Sequence, residues 1–552
     1  MVLMVFGSNC EGPVRAALRG RPFRGRSLLR EPICSPGVRD FRRGSLSGCL
    51  LGISAYTGYS KTLSIGCSTP VHRAVHGCEI TKNVDPRPEH QYPYNVRKGS
   101  QQIQTGLRRQ LGLTSATAVV IGEVIAVGIF LTPAEMSKTI GSPLLVAAVW
   151  IVVGILSLLG ALCYGELAAR YPEAGGGYVY LREAFGPRLA FLYGWKCFLV
   201  MDPGLAAALS VGLAGYAGYI VGLSPVASKA VAVACILIIA AANILGVRLG
   251  AFFVRWLTAL KLGLLAFIII WAFAFGSGDW SHFLPLASQR PGSSPLAAAL
   301  AIGLVSAFFS CAGWWDVSKL AGEVRNPQRV LPRALLFGIL IVTAVYLATS
   351  AVFVYLVPME RVTSGETFAA QAGEALFGRS GGLVFSAIVI VSVFGSLAAI
   401  IMAAPRVYYA MARNGVFPRS AASIHPRYGT PVRAIMLQAA LACILVLLGN
   451  FSQIVAYFIF ITVAFVAITV AGLFVLRKRH GTGSGYLVPG YPYTPVAFLA
   501  LAAILLLLLV ANNPWQALIG TAIVGLGIPS YTLFFSRGAS VAQEACPEPE
   551  EL

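Results

Sequence analysis

Two ionisable residues sit where the surrounding chain is almost wholly apolar. Glu123 lies in the run from Val119 to Pro133, and Lys261 lies in the run from Val254 to Gly276. A charge at mid-membrane costs about 2.5–3.5 kcal/mol on insertion scales, so such a group faces a partner or a water-filled cavity. Glu123 can carry a proton, act as counter-ion to Lys261 or Lys196, or bias a nearby site toward cationic ligands; the bland alternative is a protonated or paired structural acid. Lys261 can supply a fixed positive charge with three donors. Its bland alternative is snorkelling, since it is only about 10 Å along a helix from the end of its run. Asp202 and Asp316 are further acids in or beside apolar runs, and Glu323 is assigned to a loop near Arg325 and Arg329.

The backbone around Glu123 has chemistry of its own. Gly122 and Gly128 lack a Cβ and Pro133 lacks an N–H, so this run is poor material for an uninterrupted helix. The run from Ala307 to Asp316 has the same character, with small residues before Trp314, Trp315 and an acid. Two interrupted spans at matching places in two halves of a membrane protein point to a ligand site built from bare peptide groups. Close helix packing is the other reason for small residues at such positions.

The elements that carry these residues follow from composition. The chain of 552 residues is only 12% charged, where soluble domains carry about 25%. Its mean hydropathy is +0.74. Continuous apolar runs of about 20 residues mean membrane-spanning helices rather than the roughly 10-residue alternating strands of a barrel. About twelve spans are expected, at 113–135, 143–169, 188–221, 228–247, 254–276, 295–320, 333–357, 382–412, 432–449, 451–476, 494–512 and 515–536. The ninth and tenth are joined only through Gly449 and Asn450, as a hairpin. Residues 1–110 hold seventeen Lys or Arg against six Asp or Glu and read as a disordered basic leader, with a targeting role as the alternative. Residues 111–480 form the core, 481–536 the last two spans and 537–552 a tail.

The net charge of +20 does not indicate nucleic acid, because the surplus lies in the leader and in loops on one side. Eighteen Lys or Arg fall on the side of the termini, among them Lys319 and Arg406, and five on the other, among them Arg290. This asymmetry places both termini in the cytoplasm. The eleven cysteines form no CxxC pair, and the six histidines form no cluster, so no metal, no cofactor and no enzymatic nucleophile–base arrangement is expected.

Several inner-loop motifs occur in order. They are the stretch from Gly165 to Tyr180, the stretch from Gly322 to Ala334, and the stretch from Arg406 to Pro418 followed by Gly429-Thr430-Pro431. With Val127-Gly128-Ile129-Phe130 in the first span, these resemble the amino acid–polyamine–organocation superfamily of secondary transporters, over residues 105–480 most clearly. The resemblance implies an all-α membrane fold, LeuT-like, in which spans one to five and six to ten form a 5+5 inverted repeat with spans one and six broken. It implies an amino acid held between the breaks. Its carboxylate would meet backbone N–H groups of Ala126, Val127 and Gly128, and its ammonium the carbonyls of Val124, Ile125, Phe309, Ser310 and Ala312. Phe309 matches an aromatic that closes over the substrate in related transporters, and Lys261 matches a lysine that stands in for a sodium ion in sodium-independent relatives. The chain departs from the pattern at Ala126, where the signature has glycine, and at Val127, where a hydroxyl residue is frequent.

The expected function is a secondary active amino acid permease working by alternating access in the cell membrane, sodium-independent, by proton-coupled symport or exchange through Lys261 and Glu123. The alternative is a receptor or sensor on the same fold. Its partners would be an amino acid and the bilayer. A disulfide-linked heavy chain is not expected, because residues 221–229 hold no cysteine.

Overall fold

Proline and small caps start most of the spans. Ser142 accepts the N–H of Leu145 ahead of Pro143, and Ser224 accepts that of Ala227 ahead of Pro225. A side chain at the cap satisfies an orphan donor, and proline at the first position gives up an N–H that had no partner there. In the computed structural model, residues 107–535 are described, apart from Val127, Ser277, 360–372, 374–375, Phe377, 449–450, Ser484 and Asn513. The expected basic leader up to residue 106, the 449–450 hairpin turn and the tail from 536 therefore lie outside the described residues.

Ten helices are long and apolar enough to cross a membrane, and the bent pair Leu113–Val124 and Gly128–Ile140 makes an eleventh span. Val432–Leu448, seventeen residues, completes the expected set of twelve. Spans two to eight are Pro143–Arg170, Pro187–Val221, Pro225–Ile244, Val247–Phe275, Leu296–Glu323, Pro327–Leu356 and Gly381–Arg413. Spans nine to twelve are Val432–Leu448, Phe451–His480, Tyr493–Asn512 and Pro514–Phe534. The only strand-like pairing among the described residues is an isolated bridge between Leu111 and Val324.

Burial sorts the spans into an inner group and an outer shell. Span eight is 72% buried over its most apolar window and span three 65%, whereas spans four and twelve are each 22%. The outer spans show large apolar side chains such as Trp256, Ile270 and Trp515 outward, as a lipid-facing surface requires. Span one is enclosed by spans five, seven and eight. Spans ten and eleven are tied to span two by Arg477, whose Nε donates to Glu166 at 2.8 Å and whose guanidinium lies 3.8 Å from the Tyr491 ring centroid.

Several charges assigned to loops from the sequence are instead buried clasps. Arg406 is fully buried at the end of span eight and its guanidinium takes both oxygens of the Glu323 carboxylate, each at 3.0 Å. Glu323 therefore pairs with Arg406, not with Arg325 or Arg329. Arg290 is buried on the far side, donating to the carbonyls of Gly141 at 3.1 Å and His282 at 2.7 Å. Lys319 is buried within span six. Hydropathy counting cannot separate these from loop charges, because each lies at or near the end of an apolar run.

Candidate functional site

Span one is interrupted between the helices Leu113–Val124 and Gly128–Ile140. Ile125 leaves the helix at φ −74°, ψ 85°, and the two halves meet at 49°. Span six stops being α-helical at Cys311. Gly313 then takes φ +105°, a region open to glycine at little cost, and Trp314–Glu323 continues as 3₁₀ turns. The two breaks face each other at very short range. A Cβ on Gly128 would lie 2.6 Å from Ser310 Oγ, and Thr132 Oγ1 is 2.6 Å from the same hydroxyl. Glycine at 128 is thus required by the approach of span six. Gly122 is required on the opposite face, where a Cβ would meet Thr258 Oγ1 of span five at 2.6 Å.

Each half-helix end leaves peptide groups that need partners. On the carbonyl side these partners are protein groups. Lys261 Nζ donates to the carbonyl of Gly122 at 2.9 Å and of Ile125 at 2.6 Å, and to Ser396 Oγ at 3.0 Å. Ser396 lies 2.7 Å from the Gly122 carbonyl, and Ser392 lies 3.3 Å from that of Ile125. Lys261 is 1% exposed, so it points inward between spans one, five and eight and does not snorkel. The Tyr346 hydroxyl of span seven is 2.9 Å from both the Val124 and the Ser310 carbonyls, with one hydrogen for two acceptors. It links the two breaks directly.

The expected ligand contacts divide accordingly. Val124 and Ser310 present carbonyls that Tyr346 shares between them. The Ile125 carbonyl is turned to Lys261. The Ala126 N–H is taken by the Val124 carbonyl at 2.8 Å, and Ala312 donates to Phe309 at 3.3 Å. Gly128 opens the second half-helix at the break, and Phe309 is half-buried in the last turn of the span-six α-helix. Val127 lies outside the described residues.

Glu123 faces a different set of groups from those expected. It is buried in the last turn before the break, and no donor among the described residues reaches its oxygens. Its side chain abuts Gly313 and faces the carboxyl of Asp316. Asp316 lies 3.0 Å from Lys319, which donates to Asp202 at 3.1 Å, and Asp202 is 3.3 Å from the Tyr408 hydroxyl. All of these are buried. Lys319 is thus the cation that shares this buried cluster with Glu123, through Asp316. Lys196 instead donates to Thr462 at 3.3 Å and lies over the Tyr193 and Phe465 rings.

Sequence reasoning missed Tyr346, Ser396 and Lys319. Each had a legible signal. A tyrosine or serine inside an apolar span needs a partner for its hydroxyl. Lys319 stands three residues after Asp316, a spacing that puts both on one helical face.

Comparison with known proteins agrees with the geometry. The chain is 33% identical over 399 residues to a serine/threonine exchanger, SteT, of Bacillus subtilis, covering 72% of this chain and 90% of the relative. It is 31% identical over 400 residues to the b(0,+)-type amino acid transporter 1 of Oryctolagus cuniculus, covering 70% and 80%. To the Asc-type amino acid transporter 1 of Mus musculus it is 29% identical over 440 residues, covering 78% and 82%. These relatives are transporters and not enzymes. The profile of the amino acid permease family matches residues 111–529, three-quarters of the chain. With two facing breaks in an all-helical multi-pass membrane fold and relatives of this kind over most of its length, the chain belongs to the amino acid permease family, within the amino acid–polyamine–organocation superfamily.

Proposed function

We propose that this permease is a sodium-independent amino acid exchanger whose substrate sits between the breaks of spans one and six. The observation that carries the reading is the Lys261 ammonium on the carbonyls of Gly122 and Ile125 and on Ser396. Two carbonyls and a hydroxyl converging from spans one and eight are ligands suited to a small hard cation. A tethered ammonium there supplies the charge and donors that a sodium ion would otherwise bring. Gly128 and the start of the second half of span one offer N–H groups and a partial positive charge to a carboxylate. The Val124 and Ser310 carbonyls, now bridged by Tyr346, are placed to accept from an ammonium. Phe309 closes over the substrate.

The name of the Bacillus relative makes exchange the first mode to test and serine and threonine the first substrates. Proton coupling is the second reading, and the Glu123–Asp316 contact favours it. Two facing carboxyls away from water are accommodated by a proton held between them. The eighteen-to-five asymmetry supports cytoplasmic termini, and the family points to the cell membrane. One mouse relative is named a small subunit. For this chain we expect no disulfide-linked partner, since residues 221–229 carry no cysteine.

The deciding experiment is counterflow in proteoliposomes. Vesicles preloaded with unlabelled serine should accumulate labelled serine equally in sodium and in choline medium. Accumulation that requires sodium removes the assignment of Lys261. No counterflow with any of the twenty amino acids leaves a receptor on this fold as the better account.

A further inference from the structure

We infer that the face of the protein beside the start of span one carries a binding site for an anionic phospholipid of the adjoining leaflet. The site is a cleft of about 980 Å³, and four arginines line it: Arg108, Arg109, Arg248 and Arg427. They come from three separate places, namely the segment before span one, the start of span five and the loop between spans eight and nine. All four are exposed, and among the described residues no Asp or Glu lines the cleft. None of the four forms an ion pair among the described residues.

The floor of the cleft is also built for an anion. Gly246 caps span five with no side-chain acceptor, and Gly246, Val247 and Leu249 line the cleft together with Arg248. The first N–H groups of a 29-residue helix are thus left without a side-chain cap beside four guanidinium groups. Guanidinium forks and helix N–H groups both match phosphate oxygens.

The rim argues for a lipid phosphate rather than a free one. Leu245 and Leu249 are exposed at its edge, and Phe252, Phe253 and Trp256 continue outward along the lipid-facing side of span five. A phosphate among the arginines would leave its acyl chains along this strip. Basic pockets at the cytoplasmic side of membrane helices hold anionic head groups in this manner. The placement in the cytoplasmic leaflet rests on the orientation proposed above.

Occupancy would act on the permease through the segment 107–111. The N–H groups of Gln110 and Leu111 donate to the Glu323 carbonyl at 2.7 and 2.9 Å, and Arg325 donates back to Leu111 at 2.8 Å. A phosphate bridging Arg108 and Arg109 to Arg248 and Arg427 holds this segment against the end of span six. The lipid therefore favours the arrangement in which this segment stays paired with the end of span six.

The test is native mass spectrometry of the full-length protein in detergent with phosphatidylglycerol or phosphatidylcholine of equal chain length. Bound phosphatidylglycerol should exceed phosphatidylcholine. The double variant Arg248→Gln/Arg427→Gln should weaken phosphatidylglycerol binding roughly 25-fold, at about 5-fold per arginine. The control Arg419→Gln/Arg433→Gln removes the same charge outside the cleft and should bind as the parent does. Equal binding of the two lipids, or equal loss in the control, overturns the site. Full competition by inorganic phosphate makes it a free-anion site and overturns the lipid assignment. Truncation after Arg537 removes Glu544, Glu548, Glu550 and Glu551. A several-fold gain in lipid binding on that truncation makes the chain's own acidic tail the occupant and likewise overturns it. The readout is binding, so none of these failures touches the transport reading, and failure of counterflow leaves this one intact.

Discussion

Lys261 reaches the carbonyl of Ile125 at 2.6 Å, at the residue where span one ceases to be helical. A side chain 136 residues away in sequence thus satisfies the peptide group that the break exposes. The break and the lysine depend on one another: without its ammonium the carbonyls of Gly122 and Ile125 would have only the Ser396 and Ser392 hydroxyls as donors in the membrane interior.

Replacing Lys261 by alanine should therefore cut uptake at least about tenfold in sodium-free medium, because a buried acceptor left unpaired costs about 1–3 kcal/mol. Sodium is expected to restore part of the loss if the vacated carbonyls and Ser396 can hold it. Initial uptake rates in sodium and in choline read both effects. Near-parental uptake by the variant in choline medium would contradict the role assigned to this lysine.

Glu123→Gln is expected to abolish the pH dependence of net uptake while leaving exchange of labelled for unlabelled substrate. The charged groups of the buried cluster around Glu123 are Asp316 and Lys319 of span six and Asp202 of span three. On the proton-coupled reading the proton lies between Glu123 and Asp316, so Asp316→Asn should flatten the same profile. Lys196→Gln, at a lysine that donates to Thr462 instead, should leave it in place. Profiles measured across the acid-to-neutral range decide the matter, and an unchanged profile in both carboxamide variants retires the proton role.

Tyr346→Phe removes one hydroxyl and leaves the rest of the ring, including its edge contact with Trp150 at 5.0 Å. The lost hydrogen bond is worth about 0.5–1.5 kcal/mol. The variant should express and show only a modest fall in thermal stability in detergent. If Val124 and Ser310 receive the substrate ammonium, its KM should change several-fold while the maximal exchange rate changes less. An unaltered KM would place the ligand elsewhere.

Arg406→Met should be among the most damaging changes away from the breaks. It leaves the Glu323 carboxylate buried without its partner, at a cost of about 3–5 kcal/mol. Glu323→Leu combined with Arg406→Met should be more stable than Arg406→Met alone, since removing both charges removes the stranded one. Thermal unfolding of the three variants in one detergent measures the cycle. A double variant no better than the single one would mean that the clasp matters for its shape rather than its charge.

The approximate number of spans and the presence of two breaks were legible in the sequence because each depends on a local property, whereas the starts of spans five and seven, expected at 254 and 333, lie at Val247 and Pro327. Insertion follows hydropathy summed along about 20 residues. A break follows from glycine and proline within one run. The positions of Lys261 and Glu123 were likewise visible as charges in apolar stretches. What each charge faces was decided only in three dimensions. Lys261 turns inward to Ser396, Glu123 turns to Asp316, and Glu323 closes on Arg406 across 83 residues of chain. A partner is chosen by the rotation of a helix about its own axis and by which other helices pack beside it. Neither is written in the spacing of a single run, so the tertiary structure alone determines which of several plausible pairs forms.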